Sequence, residues 1–110
     1  MAKTKDYLWE ILVPTVRSQD KGYTTKYHRL WDEKVRAISG GLTVLKPAHG
    51  QWVAPDGELF KERMIPVRIS CTESEIDQIS DITAKHYNQK AVMYYRVSDM
   101  VVVKHYEVKG

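Results

Sequence analysis

The order of strand-like and helix-like segments is the feature of this sequence that most constrains its fold. Residues 7–16, YLWEILVPTV, are mostly apolar, aromatic or β-branched, which is typical of a buried strand. The segment after the next loop repeats apolar residues at spacings of four, four and three, namely at Tyr27, Trp31, Val35 and Ile38. This spacing is one face of a helix. A threonine at position 24 or 25 opens the helix and Gly40-Gly41 closes it.

The second half of the chain repeats the pattern. A short apolar stretch, LTVL, and a longer one, residues 64–71, predict two strands, and Pro66 suggests an edge or a bulge in the longer strand. Thr72 followed by Glu75 is a capping box, so a second helix begins there. Its apolar stripe consists of Ile76, Ile79, Ile82 or Thr83, and Tyr87. Residues 91–97 and 100–108 predict two further strands, joined by Ser98-Asp99.

The resulting order, β-α-β-β-α-β, indicates an α+β protein with the ferredoxin-like sandwich, in which both helices cover one face of an antiparallel sheet. We expect one domain over residues 1–110, with an elaborated connection between the second and third strands and an extra strand at the C-terminus. That connection, residues 46–62, contains two turn segments, KPAHG and APDG, and QWV and ELF flank the second turn as the arms of a small hairpin.

The first strand is apolar on both faces. Its residues Tyr7, Trp9, Ile11 and Val13 point one way, and Leu8 and Leu12 point the other way. Strands of this kind are buried on both faces, but one layer of helices covers only one of them. We therefore expect a homodimer or a homotrimer, whose interface includes residues 100–106.

Composition excludes several classes of protein. The net charge of +3 is mild, so nucleic-acid binding is not expected. The single cysteine, Cys71, excludes an internal disulfide and a multi-cysteine zinc site. The charged start of the chain does not match a signal peptide, and no apolar run reaches the length of a membrane span, which predicts a cytoplasmic protein. The four histidines show no metal-binding spacing, and the sequence has no phosphate-binding glycine motif, so we expect neither a metal nor a cofactor.

Several motifs resemble a family of short uncharacterised phage and bacterial proteins. The shared pattern is Gly-Gly-x-Thr, then Gly-x-Trp, then an acidic residue before a strand, which is present here as GGLT, GQW and DGELFKE. The later AKHYNQKAVMYY is similar to the family's Tyr-x-Gln-x-x-Val, and the resemblance covers about residues 7 to 103. More loosely, the layout resembles two kinds of ferredoxin-like trimer. The PII-like signalling proteins bind nucleotides between subunits, and phage enzymes that cleave S-adenosylmethionine have sites at subunit boundaries.

The long connection is the best candidate for a functional site, because long loops in compact domains are usually functional. If it projects over a neighbouring subunit, it would roof a cleft lined by Thr43, Trp52, Glu62 and Arg68. Trp52 would stack on a base or a sulfonium, Arg68 would bind an anion, and Glu62 is the candidate acid–base group. The alternatives are structural: Trp52 packs the hairpin, and Glu62 forms a surface ion pair with Lys61 or Arg63.

Three other features have a chemical and a structural interpretation. His28 and Asp32 could share a proton or a metal, or form a solvated pair on the first helix. Cys71 lies just before a helix, where a thiol can be activated, but a buried structural cysteine is favoured. Tyr94 and Tyr95 could stack on RNA bases, although packing is the better interpretation, because adjacent strand residues face opposite sides.

Three functions fit these observations. The first is a small oligomeric phage or bacterial protein that binds a nucleotide-like ligand between subunits. The second is a small lyase acting on a nucleoside-containing metabolite such as S-adenosylmethionine. The third is a protein-binding or structural module that docks on a host protein.

Overall fold

The computed structural model describes residues 6–15 and 22–109. The strands are β1 (Tyr7–Pro14), β2 (Thr43–Val44), β3 (Ala48–Val53), β4 (Leu59–Cys71) and β5 (Tyr94–Ser98), and the helices are α1 (Thr25–Ser39) and α2 (Glu73–His86). The loop predicted after β1, residues 17–22, lies outside the described residues except for Gly22, and so does Val16, the predicted end of β1.

The strands form one antiparallel sheet in the order β2-β4-β1-β5, and β3 also pairs with β4. β1 lies in the centre, and its register with β4 runs from Tyr7 opposite Cys71 to Pro14 opposite Met64. With two helices between the strands, this is the ferredoxin-like arrangement, so the predicted fold class is confirmed.

Both helices begin at the residues that the sequence indicates, and α1 also ends where the sequence indicates. The Thr24 side chain accepts a hydrogen bond from the backbone N–H of Tyr27, 3.1 Å away, and Gly40 closes α1 in the left-handed conformation, with φ of 84°. At α2, Thr72 and Glu75 form the complete capping box, with distances of 2.9 and 3.1 Å.

The core lies between the helices and one face of the sheet. The buried residues of β1 and β4 are all odd-numbered apart from Glu10, and they pack against buried residues of the helices, which include Trp31, Val35, Ile76 and Ile79. Because side chains alternate along a strand, the even-numbered residues of β1 and β4 point away from the helices. We call this side, which carries Leu8, Glu10, Leu12 and Arg68, the open face.

The β3–β4 hairpin extends beyond the rest of the sheet. Residues 59–63 pair with β3 alone, since β1 reaches only to Met64. A turn at residues 54–58 closes the hairpin, and Gly57 adopts a φ of 90° there, which favours glycine. The expected hairpin is present, but KPAHG is not all turn: Ala48, His49 and Gly50 belong to β3. Pairing with residues 62–64 overrides their weak strand propensity, and Gly50 leaves space for the Met64 side chain, since an added Cβ would meet Met64 Cε at 2.6 Å.

The C-terminal segment differs from its prediction. Within the described residues 99–109 no strand is formed, and β5 begins at Tyr94 and not at Ala91. The fifth strand of the sheet is therefore β3, which lies in the hairpin. The reason is that a strand requires a partner for its backbone groups, and the segment has no partner within its own described chain. Its apolar side chains are exposed, as shown by Met100 at 72% and Tyr106 at 74%.

Among the described residues, no helix has the length and apolar character needed to cross a lipid bilayer.

Candidate functional site

The strand register places four polar side chains in one line across the open face. Thr43 on β2 lies opposite Arg68 on β4, Arg68 lies opposite Glu10 on β1, and Glu10 lies opposite Tyr95 on β5. Directly paired residues of antiparallel strands project to the same side. We call Thr43, Arg68, Glu10 and Tyr95 the cross-strand row.

Glu10 is the centre of the cross-strand row. Arg68 Nε donates to Glu10 Oε1 at 3.1 Å, and the Tyr95 hydroxyl donates to Glu10 Oε2. Glu10 is only 8% exposed, although it lies on the face that the helices do not cover. A carboxylate with so little water requires partners of this kind, because an unpaired buried charge is strongly unfavourable.

Arg68 and Thr43 are the accessible members of the row. The Arg68 side chain is 44% exposed, and Thr43 is exposed on the short strand β2. These two residues were predicted as ligand contacts, and the structure brings them together on neighbouring strands. A guanidinium and a hydroxyl on one surface can both donate to an anionic group.

The other two predicted residues lie on the hairpin. Trp52 stacks on Phe60 with ring centroids 4.5 Å apart, which supports packing of the hairpin, and it remains 47% exposed. Glu62 lies opposite Gly50 and is exposed, and its carboxylate forms no hydrogen bond or ion pair with any described residue. It precedes Arg68 by six residues on one strand, which corresponds to about 20 Å. A single chain therefore does not bring Trp52 or Glu62 to the cross-strand row.

Sequence reasoning missed Glu10 and favoured packing over base stacking for Tyr95, without linking Tyr95 to Glu10. Glu10 carries a signal, since it is the one charged residue within the otherwise apolar or proline-containing stretch from Tyr7 to Pro14. Tyr95 carries none, because its place beside Glu10 depends on the β1–β5 register, which includes an irregularity between Leu8 and Trp9.

A second polar cluster joins the start of α1 to the end of α2. The Tyr23 hydroxyl donates to the Tyr87 carbonyl at 2.8 Å, and the Tyr27 hydroxyl donates to the His86 carbonyl. His86 Nε2 donates to the Tyr27 carbonyl at 2.9 Å, so its Nδ1 accepts from Lys34 Nζ at 3.2 Å. These contacts satisfy carbonyls at the end of α2, which indicates a structural role.

His28 is half-buried and belongs to this cluster, and its interaction with Asp32 is electrostatic. Its Nδ1 lies 2.7 Å from the Tyr87 hydroxyl. Burial lowers the pKa of His28, partly opposed by Asp32, and burial also raises the pKa of Asp32 and of Tyr87. The raised pKa keeps the Tyr87 hydroxyl protonated, and this hydroxyl shares a hydrogen bond with the His28 imidazole.

The environment of Cys71 does not activate its thiol. Cys71 is buried, and its pKa is raised to about 12, chiefly by burial and secondarily by Glu75 and Asp6, so the thiol is inert. The described residues contain no group of three or more metal-binding side chains. A shallow, open depression on α2 is lined by Asp81, Ile82, Ala84, Lys85 and Gln89 and lies apart from the cross-strand row.

Comparison with known proteins gives likeness in structure only. No family model and no curated protein sequence matches the chain. A phage S-adenosylmethionine lyase, solved in complex with S-methyl-5'-thioadenosine, superposes with a TM-score of 0.65 at 13% identity, covering 100% of this chain and 94% of that chain.

Divalent cation tolerance proteins have the same fold. CutA1 from Thermus thermophilus gives a TM-score of 0.62 at 7% identity, covering 92% of this chain and 87% of that chain. The periplasmic CutA from Archaeoglobus fulgidus gives 0.65 at 6% identity, covering 90% of this chain and 88% of that chain. Likeness at such low identity shows the fold alone, so these comparisons establish that the chain has the ferredoxin-like α+β fold that they share.

Proposed function

We propose that this protein is a small self-associating domain that binds a nucleoside-containing small molecule between subunits. The observation that carries the proposal is the cross-strand row, in which a nearly buried carboxylate holds an accessible arginine on the open face of the sheet. Groups of this kind on an uncovered sheet face are suited to a ligand that a second subunit encloses.

The hairpin supplies the rest of the proposed site. Glu62 lies about 20 Å from Arg68 along β4, and Trp52 lies farther along the hairpin. In this proposal both residues contact the cross-strand row of a neighbouring subunit. The exposed indole of Trp52 provides a stacking platform for a base or for a cationic sulfonium. Each site therefore takes Thr43 and Arg68 from one subunit and Trp52 and Glu62 from another.

Ligand binding is tested directly with S-adenosylmethionine, S-methyl-5'-thioadenosine and adenosine 5'-monophosphate. We expect at least one of them to raise the melting temperature, since a ligand of the native state stabilises it by mass action. Trp52→Ala should weaken that binding about tenfold or more, as the loss of a stacked base costs about 1–3 kcal/mol. Gln51→Ala, an adjacent and exposed change on the same strand, is the matched control.

The division of the site between subunits is tested by mixing variants. Trp52→Ala and Arg68→Ala are each expected to bind poorly alone. When the two variants are refolded together, some interfaces combine Trp52 from one variant with Arg68 from the other. Ligand binding should return in proportion to the number of these interfaces. Mixtures that bind no better than either variant show that the residues do not share a site between subunits.

A second candidate function is a lyase reaction on S-adenosylmethionine. The observation that favours it is the superposition with a phage S-adenosylmethionine lyase over 100% of this chain and 94% of that chain. Glu62 is the proposed acid–base group, because its carboxylate is exposed and has no described partner.

Mass spectrometry separates catalysis from binding. In the lyase reaction Glu62 would remove a proton from the β-carbon of the amino-acid moiety while the bond between its γ-carbon and sulfur breaks and the electron pair goes to sulfur. The products are S-methyl-5'-thioadenosine and an unsaturated four-carbon amino acid. Glu62→Gln should lower kcat about 100-fold while binding is retained. Glu58→Gln, on the same hairpin, is the control. Binding without product leaves the protein as a binding module, and an absence of binding by every nucleoside probe supports the third function, docking on another protein.

A further inference from the structure

The cross-strand row contains an accessible guanidinium, that of Arg68, which is held by Glu10 through one nitrogen. We propose that Arg68, positioned by Glu10 and Tyr95, anchors an oxyanion attached to the nucleoside, either the carboxylate of an amino-acid moiety or a phosphate. This inference rests on the proposed function and specifies the chemistry of the same site.

The guanidinium of Arg68 is engaged at one end only. Its Nε donates to Glu10 Oε1 at 3.1 Å, and this is the only ion pair or side-chain hydrogen bond of Arg68 within the described part of the chain. The two terminal nitrogens together carry four N–H groups, and the side chain is 44% exposed. A planar fork of this kind matches the two oxygens of a carboxylate or of a phosphate.

Glu10 and Tyr95 act as positioning residues. The Tyr95 hydroxyl holds Oε2 of Glu10, which leaves Oε1 directed at Arg68 Nε. Because Glu10 is 8% exposed and lies on the central strand, its carboxylate is fixed by the sheet. An arginine held in this way loses less conformational entropy when it binds an anion than a free surface arginine does.

The distribution of charge favours an anion above the row. Glu10 contacts the guanidinium through Nε, and its side chain is 10% exposed, whereas the Arg68 side chain is 44% exposed. Thr43 lies beside Arg68 on β2 and adds a hydroxyl donor at the sheet edge. The accessible groups of the row, Arg68 and Thr43, are therefore hydrogen-bond donors. Both oxygens of Glu10 already accept hydrogen bonds from Arg68 and Tyr95.

Two pairs of nucleosides test the inference, and within each pair only one member carries an oxyanion, which is the carboxylate of a zwitterionic amino-acid moiety or a phosphate. The first is S-adenosylhomocysteine against S-methyl-5'-thioadenosine, and the second is adenosine 5'-monophosphate against adenosine. Dissociation constants from calorimetry are compared within each pair. If the difference in affinity within the first pair depends on Arg68, the bound oxyanion is a carboxylate. If the difference within the second pair depends on Arg68, the bound oxyanion is a phosphate.

Arg68→Gln should weaken binding of the oxyanion-bearing member of one pair about 10- to 100-fold, which is the effect of losing a charge-assisted hydrogen bond. Binding of the member without the oxyanion should change less than about twofold. Tyr95→Phe should produce a smaller loss, about three- to tenfold, again only for the oxyanion-bearing member. Arg63→Gln, an exposed arginine on the same strand, is the matched control.

The outcomes separate this inference from the proposed function. If Arg68→Gln weakens both members of each pair equally, or neither, the nucleoside site stands and the anion anchor is wrong. If Tyr95→Phe has no effect while Arg68→Gln does, the positioning role of Glu10 and Tyr95 is wrong. If no nucleoside binds the wild-type protein, both proposals fail together. Circular dichroism and melting of each variant show that it is folded before binding is interpreted.

Discussion

At the scale of single residues, polar groups with little exposure have two different roles in this chain. Glu10 is held by an arginine that remains accessible, which leaves donors for a ligand. His28 and His86 contact groups whose hydrogen bonds close the end of α2. Arg68, the partner of Glu10, keeps free N–H donors, whereas the cluster around the histidines uses its hydrogen bonds within the fold. The degree of burial alone does not distinguish these two roles.

The histidine cluster predicts a dependence of stability on pH. The pKa of His28 is lowered by burial, so the folded state binds this proton less readily than the unfolded state. The contribution of neutral His28 to the free energy of unfolding is complete above the unfolded-state pKa of about 6.5. It declines as the pH falls towards the lowered pKa of the folded state.

Urea unfolding between pH 8 and pH 5.5 should therefore show a fall in the free energy of unfolding that is smaller in His28→Gln. Asp32, whose pKa burial raises, acts in the opposite sense, but it is present in both proteins. His105→Gln is the control, because His105 is exposed in the C-terminal segment. An identical slope in wild type and His28→Gln contradicts the prediction.

At the scale of elements, β4 is shared between the central sheet and the projecting β3–β4 hairpin. Its second half pairs with β1 and contributes Val67, Ile69 and Cys71 to the core, whereas its first half pairs only with β3 in the projecting hairpin. The division coincides with the change from buried to exposed residues along the strand. The hairpin is therefore an extension of the sheet, and residues 48–60 contribute no buried residue to the core.

Deletion of residues 48–60, closed by a short turn, should leave the rest of the sheet folded. No buried residue lies in that range, so we expect the free energy of unfolding to change by no more than about 1–2 kcal/mol. Ligand binding should be lost, because Trp52 is removed. The measurements are urea unfolding and calorimetric titration, and a loss of cooperative unfolding would place the hairpin in the core.

At the scale of the whole molecule, the single chain leaves apolar surface uncovered. The open face carries half-buried Leu8 and Leu12, and the described C-terminal segment exposes Met100, Val102, Val103, Tyr106 and Val108. An apolar segment without a strand partner can pair with the sheet edge of another copy. Self-association is therefore our proposal for what covers these surfaces.

Truncation after Asp99 should convert an oligomer into a monomer with little effect on the helices, since the removed segment forms no strand with its own chain. Light scattering after size exclusion gives the mass, and circular dichroism gives the helix content. Truncation after Glu107 is the control for simple shortening. A full-length protein that is monomeric at micromolar concentration contradicts both the assembly and the site between subunits.

The sequence by itself determined the two helices and the order of the elements as far as β5. Caps, apolar periods and turn residues act over a few neighbouring positions, which is why Thr24, Gly40 and the Thr72–Glu75 box mark the helices correctly. The element order then left few ways to arrange an antiparallel sheet under two helices, so the fold class was predictable.

Only the tertiary structure decided which residues meet. Thr43 and Arg68 were predicted as members of one site, but their alignment with Glu10 and Tyr95 depends on three strand registers. A shift of one residue in any register would send these side chains to the other face. The same applies to the C-terminal segment, because its apolar pattern indicates a strand and the pairing partner decides whether one forms. Local patterns specify elements, and the contacts between distant segments specify the site.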